Sequence, residues 1–472
     1  MTTFRKIAAN TLVQIVGKAI GTLLGVVTIA LITRHLGPAG FGQFTIVIAF
    51  LQVAATLADL GLNVMTVQLL AERELERNRI FGNLLAMRLV SAVVFLGGAV
   101  VVSWFFPYPT IVKVGIALAS LSFLSIVLNQ IFVGFFQDRL KTQFASLAEV
   151  VGRATLLVGT IIAVQVGVSV LAVLTALVVA NAIQLLVSAL LARKHVRIRL
   201  QWEFAWWRVA LARAWPIGLS VALTLLYLRM DTVILSLYRD ASEVGLYGAA
   251  YRVIDVFSQL PFLFVGVALP VLARLWKSGD RGEFNQLVQR SFDLLMAAVI
   301  PLAIGGFLLS KEVMTLVAGK EFSASGVYLA ILLLALVFVF SSALFSYTIV
   351  AMNAQRRMVF GYGLSAVLTL IGYFIFIPKF GGLAAAWLTV FSEAIVALCA
   401  ALVVVRRGVV RLSFVRMGKI IVASACMATV LALLRGFGLW PPLIGGVITY
   451  AVVLVALGGI QKSAVRELLK AA

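Results

Sequence analysis

Residues 325–352 read SGVYLAILLLALVFVFSSALFSYTIVAM. The run holds no Asp, Glu, Lys or Arg, and it is longer than the ~20 residues a helix needs to cross a bilayer. It is one of about fourteen such runs, from 8–32 and 41–70 at the start to 419–435 and 441–460 at the end. Of the chain's 472 residues, 62% are hydrophobic and 12% charged, with a mean hydropathy of +1.10. Soluble domains lie nearer about 45–50% apolar and about 25% charged. There is too little polar surface here to cover such cores in water, so a soluble enzyme is excluded. The expected class is an all-α integral membrane protein with about fourteen transmembrane helices.

The net charge of +21 would suggest nucleic acid on a soluble chain. Here the bases sit in short connections between apolar runs, so the bias that holds Lys and Arg on the cytoplasmic side explains them, and no nucleic acid is expected. With the N-terminus inside, every inside segment carries at least two bases, for example Arg139 with Lys141, and Arg356 with Arg357. Outside ends carry scattered ones such as Arg34 and Arg239. An even number of spans with both termini cytoplasmic is expected. The run from Ile7 to Thr33 is too long for the core of a cleaved signal peptide and reads as a first span. Two Cys and two His give no metal cluster or disulfide framework, and no cofactor is expected.

The longest inside connection, 193–213, divides the chain into 1–192 with six runs, 214–405 with six more, and 406–472 with two. In it Trp202, Trp206 and Val209 fall on one helical face, which suits an amphipathic helix along the membrane or a plain basic linker with aromatic anchors. The halves echo one another. Phe41-Gly42-Gln43-Phe44 opens the second run, and Tyr247-Gly248-Ala249-Ala250-Tyr251 the eighth. Paired halves with a substrate path between them recur in transporters.

Ionisable groups inside runs are costly and mark function or pairing. The bases are Lys18, Arg88, Arg153, Arg229 and Arg252; the acids are Asp59, Glu149, Asp231, Asp255 and Glu393. At ~1.5 Å per residue, Lys18, Asp59 and Arg88 lie roughly 14–16 Å from the inner end, and Arg229 and Arg252 roughly 14–15 Å from the outer end. Glu149 with Arg153 and Arg252 with Asp255 are spaced to pair within one helix, and Lys18 and Asp59 are placed to pair across the first hairpin. Either these groups are packing pairs, or two or more bases face a wet cavity where they can bind pyrophosphate.

Arg34-His35-Leu36-Gly37-Pro38-Ala39-Gly40-Phe41-Gly42 followed by Asp59-Leu60-Gly61-Leu62 resembles the N-terminal signature of the polysaccharide transporters. These are lipid-linked oligosaccharide flippases of the multidrug/oligosaccharidyl-lipid/polysaccharide exporter superfamily. Tyr227-Leu228-Arg229-Met230-Asp231, Val244-Gly245-Leu246-Tyr247-Gly248-Ala249-Ala250-Tyr251-Arg252 and Gly319-Lys320-Glu321-Phe322 resemble the same family, over about residues 5–405. The resemblance implies two six-helix lobes around a central cavity plus two C-terminal helices. It implies alternating access and a polyprenyl-pyrophosphate-linked glycan as cargo in the cytoplasmic membrane, with membrane lipids and polysaccharide polymerase or assembly proteins as partners. It makes Arg229 and Arg252 candidate cargo-binding residues; Lys18, Arg88 and Arg153 join them on depth alone. The acids Asp59, Glu149, Asp231, Asp255 and Glu393 are candidate charge partners or coupling groups.

A peptidoglycan-precursor flippase is a close alternative. A cation-coupled drug exporter favours an acidic cavity, whereas the first run carries Lys18 and no acid. A membrane-embedded glycan polymerase needs catalytic groups on a sizeable outer loop, and no outside loop exceeds roughly 15 residues. No enzyme is expected.

Overall fold

The computed structural model describes residues 3–59, 61–72, 76–167, 169–406 and 413–459. Among them there is no strand. By length and composition, eleven helices can cross a membrane, one of them holding the first run and most of the second. The seventh run lies on α7 (Phe204–Tyr238) and the fourteenth on the shorter α15 (Trp440–Ala456), so the apolar runs are helical and the protein is a multi-pass membrane protein.

The described chain forms two compact units, Met1–Gly245 and Leu246–Ala472. In the first, α1 (Thr3–Asp59) breaks at Gly37, whose φ of 63° is left-handed, and Pro38 opens the next segment. Proline costs nothing there, because the first N–H groups of a helix have no partner within it. The apolar run 41–70 predicts one continuous helix. Instead α1 ends at Asp59 and α2 (Leu62–Glu72) resumes after Gly61, which has a φ of 76°. A Cβ on Gly61 would lie 2.5 Å from Gly218 N and 2.6 Å from Ala214 O, so only glycine seats this break against α7.

Next come α3 (Arg77–Ser103), α4 (Thr110–Asp138), α5 (Thr142–Val166), α6 (Val170–Ala192) and α7 (Phe204–Tyr238). Helices α4 and α6 run in step. Gly115 sits on Leu174, and two turns on, Asn181 Nδ2 donates to Ser122 Oγ at 2.8 Å. Phe81, Phe132, Phe135 and Phe136 pack together where the start of α3 meets the end of α4, with Phe81 edge-on to Phe132 at 5.4 Å. Such aromatic pairs add about 0.5–1.5 kcal/mol beyond their burial.

Helix α8 (Ala241–Ser278), which lies in the second unit from Leu246 onward, stays helical through Pro261 and Pro270. It is followed by α9 (Arg281–Leu308), a short α10 (Ser310–Ala318), α11 (Ser325–Ala351), α12 (Met358–Phe380) and α13 (Gly382–Arg406). The charge-free run quoted above is α11, the most deeply buried span, which is why it needs no polar face. The added pair α14 (Val415–Leu434) and α15 (Trp440–Ala456) is fixed to α9 and α10 by specific polar contacts. Arg416 Nη1 lies 2.8 Å from Asp293 Oδ2. The amide of Gln289 takes Ser413 N–H at 2.8 Å and donates to Ser413 O at 2.9 Å. Tyr450 OH donates to Ala297 O at 2.6 Å, and Arg435 pairs with Glu312 at 3.5 Å.

Candidate functional site

The charges within the spans separate by how tightly they are held. Arg88 is 1% exposed, and its Nη2 lies 2.5 Å from Asp59 Oδ1. Asp59 is the last residue of α1, so the guanidinium also faces the negative end of a broken helix. Ser91 Oγ, one turn along α3, donates to Ala58 O at 2.9 Å. The pairing of Lys18 with Asp59 is therefore not what forms; α3 supplies the cation. Lys18 stands exposed on α1.

Glu149 and Arg153 on α5 do meet, at 3.7 Å, and Arg153 remains 46% exposed. They lie along a glycine ridge on α1. A Cβ on Gly17 would touch Ser146, one on Gly21 would come 3.7 Å from Glu149 Oε1, and one on Gly25 3.0 Å from Arg153 Nη1. Small residues at this spacing let the two helices approach closely enough for the long Arg side chain to lie between them. The sequence shows this ridge as Gly17, Gly21 and Gly25, yet depth alone gave it no role.

Asp231 on α7 is buried, and its Oδ1 accepts from Thr232 N at 2.6 Å and Thr232 Oγ1 at 3.2 Å. Arg229, two residues earlier, is half-buried. In the second unit Arg252 and Asp255 pair at 3.8 Å with Arg252 32% exposed. Glu393 on α13 is 5% exposed. One turn before it, Thr389 Oγ1 donates to Ala385 O at 3.0 Å and so accepts from Tyr247 OH at 3.4 Å. Ser365 of α12 donates to Ser392 O at 3.2 Å. Glu393 thus stands in a hydroxyl-rich seam of the second unit.

One polar cluster escaped the sequence reading. The connection after α6 turns at 193–196, runs without helix to Glu203, and then enters α7. It is strapped to the start of α3. Arg197 N donates to Asn78 Oδ1 at 3.0 Å, and Gln201 N to Gly82 O at 3.3 Å. Asn83, fully buried, accepts Glu203 N–H and Trp207 Nε1–H, each at 3.0 Å, and donates to Arg79 O and Glu203 Oε1. Arg79 grips the Glu203 carboxylate with Nε at 2.7 Å and with Nη2. The hydrogen bond from Arg79 pulls the Glu203 carboxyl below its ordinary range. Trp207 is therefore the ring that faces the protein, while Trp202 and Val209 are exposed. A buried Asn inside an apolar run was the available signal.

Among the described residues, no group of three or more His, Cys, Asp or Glu is placed to hold a metal.

The fold resembles a lipid II flippase, MurJ, in an inward closed conformation. The TM-score is 0.78 at 16% identity, over 94% of this chain and 98% of that one. An inward-facing multidrug resistance MATE family transporter of the MOP superfamily follows, with a TM-score of 0.67 at 15% identity over 84% and 98%. In sequence, the chain is 26% identical over 169 residues to the probable low-salt glycan biosynthesis flippase Agl15 of Haloferax volcanii, a match spanning 36% of each chain. It is 23% identical over 344 residues to a putative O-antigen transporter of Shigella flexneri, covering 67% of this chain and 78% of that one. A family model described as "Polysaccharide biosynthesis protein" matches residues 7–276, more than half of the chain. By that match the chain belongs to the polysaccharide biosynthesis protein family.

Proposed function

We propose that the protein is a flippase that moves a polyprenyl-pyrophosphate-linked oligosaccharide across the cytoplasmic membrane by alternating access, for cell-surface polysaccharide synthesis. The observation that carries this reading is the graded exposure of the bases at membrane depth. Arg88 is sealed against Asp59, whereas Lys18, Arg153 and Arg252 keep exposed surface, with Arg153 lying 3.7 Å from Glu149 and Arg252 3.8 Å from Asp255. A pyrophosphate leaving water needs such donors, and arginine offers them in a bidentate fork. Two relatives bear names that refer to glycan flipping and O-antigen transport, which agrees with an anionic, sugar-bearing cargo.

In this reading Arg229 and Arg252 hold the anionic linkage, with Lys18 and Arg153 along its route. Arg88 is a structural cation. The lobes are 1–192 and 214–405, joined by 193–213, and 406–472 adds two helices. Both termini face the cytoplasm, and polymerase and assembly proteins take up the product. The acids pair with bases or couple transport to an ion, with Glu393 the candidate for coupling. A cationic-drug exporter is less well served, because three bases with exposed surface at membrane depth repel a cation.

The test is export in a strain lacking its own transporter. Arg229→Ala and Arg252→Ala should give normally abundant, inserted protein without glycan export. Arg→Lys should keep part of the activity, since charge survives and the fork is lost. If removing Asp255 together with Arg229 restored export in full, the cargo role of Arg229 would be abandoned.

A further inference from the structure

The strap into α7 is fixed in its backbone and open at its surface. Residues 193–213 hold six bases and a single acid, Glu203, whose carboxylate is taken by Arg79 of α3. Arg193, Lys194, Arg197, Arg199 and Arg208 are exposed, and their side chains form no ion pair or hydrogen bond among the described residues. The backbone beneath them has no such freedom. A Cβ on Gly82 would fall 2.3 Å from Arg199 O, so the strap lies directly on the α3 main chain. The bonds from Arg197 N to Asn78 and from Gln201 N to Gly82 O tether it on either side of that contact.

The same segment carries an exposed apolar ridge. Ile198 and Leu200 are exposed between the tethers, and Trp202 and Phe204 follow at the same two-residue spacing, 50% and 68% exposed. Both rings rest on buried Trp207, at centroid distances of 5.7 and 5.1 Å, and Trp207 is held by Asn83. Along α7, exposed Phe204, Arg208 and Trp215 share one helical stripe, while Trp207, Ala210 and Ala214 face the protein. Water suits the bases and not the rings; hydrocarbon suits the rings and not the bases. The headgroup boundary of a bilayer suits both, with aromatic rings at acyl level and guanidinium groups at the phosphates. Bases with no acid of their own to meet favour an anionic headgroup over a zwitterionic one, by on the order of fivefold for each base near the surface.

We propose that residues 197–208 form a binding site for anionic phospholipid in the leaflet that the proposed topology makes cytoplasmic. Trp202 and Phe204, braced by Trp207, enter the headgroup boundary, and Arg197, Arg199 and Arg208 hold the lipid phosphate. A base anywhere on the cytoplasmic side serves topology. These bases stand on backbone tethered to α3 and beside rings already fixed in place, so little freedom is lost when a headgroup binds. Because the strap continues into α7, the bound lipid steadies the entrance to that helix. The site is independent of the cargo reading.

The experiment uses the purified full chain, delipidated in detergent, with phosphatidylglycerol and phosphatidylcholine as probes and no polyprenyl lipid present. Native mass spectrometry counts the lipids retained. Wild type should retain phosphatidylglycerol in preference to phosphatidylcholine. Arg197→Gln, Arg199→Gln and Arg208→Gln together should weaken phosphatidylglycerol binding at least about tenfold. Arg274→Gln, Lys277→Gln and Arg290→Gln together, an equal loss of exposed bases on the same side of the charge map, should change it less than about twofold. In nanodiscs containing phosphatidylglycerol, with Cys399 and Cys426 replaced by Ala, a spin label on Leu200→Cys should be shielded from an aqueous nickel chelate, whereas one on Ser278→Cys, in the exposed turn before α9, should not. Three results overturn the site: equal retention of the two lipids by wild type, equal losses in the two triple variants, or a label at Leu200→Cys as open to the chelate as the one at Ser278→Cys. The last result would leave the ridge facing water, as a surface for an acidic protein. Because no cargo lipid is present, none of these results bears on the flippase reading.

Discussion

Asn83→Ala should unfasten the strap that leads into α7. The Asn83 amide oxygen satisfies the buried indole N–H of Trp207, and alanine leaves that donor without a partner. A stranded buried donor costs about 1–3 kcal/mol, taken here as about 2. For a unit of this size that is a fall of roughly 4–8 °C in the midpoint. The strap should also open locally. Arg197 and Arg199 are exposed, but the backbone around them is pinned to Asn78 and Gly82, so trypsin should cut there several-fold faster in the variant. Asn83→Asp keeps the acceptor for Trp207 but sets a carboxylate beside Glu203, and should be milder for the midpoint and worse for the strap. The Arg79–Glu203 fork adds a sign that can be checked. Because the folded Glu203 carboxyl is depressed, its contribution is fully present above the ordinary Glu pKa of about 4.3 and fades as the pH falls through the lower folded value. Wild-type protection should thus be flat near neutrality and weaken only in acid. Equal cleavage rates and equal midpoints for wild type and Asn83→Ala would refute the clamp.

Three further outcomes follow from the same geometry. Arg88→Met should lower abundance and stability by about 3–5 kcal/mol by orphaning Asp59, and Arg88→Met with Asp59→Asn should recover most of it; an Arg88→Met protein as stable as wild type would contradict the pair. Gln289→Ala with Arg416→Ala should raise hydrogen exchange in α14 and α15 and leave α11 protected, whereas unchanged exchange in α14 would show that the clamp to α9 is idle. With native cysteines removed, Arg139→Cys and Arg356→Cys should resist an impermeant thiol reagent in intact cells while Asp240→Cys and Ser323→Cys react, and labelling at Arg356→Cys from outside would overturn the proposed topology.

The spans were readable because a bilayer demands some twenty apolar residues in succession, and α11 shows that demand in its simplest form. The break after Asp59 was not readable. Leu60 and Gly61 continue the apolar run, and a left-handed glycine conformation leaves no mark on composition; its cause is the approach of Ala214 and Gly218 from α7. The within-helix pairs Glu149–Arg153 and Arg252–Asp255 were legible because helical spacing fixes both neighbours. The partner of Asp59 was not. Depth gives one coordinate along the membrane normal, and Lys18 and Arg88 share it at roughly 14–15 Å; which of them faces Asp59 depends on helix packing, which depth does not encode. The strap was hidden for a related reason. Asn83 and Glu203 are far apart in sequence, and only the fold brings the amide of α3 to the entrance of α7.

The cargo that crosses the membrane decides between a glycan flippase and a cation exporter. Purified protein should be reconstituted into liposomes with a polyprenyl-pyrophosphate-linked oligosaccharide in the bilayer, and the fraction of glycan reached by an external glycosidase followed over time. Protein-dependent transfer of the inner-leaflet glycan, lost with Arg252→Ala and partly kept with Arg252→Lys, is the expected result. Folded wild-type protein that moves no more glycan than empty vesicles, yet drives efflux of a cationic dye under an ion gradient, would contradict it.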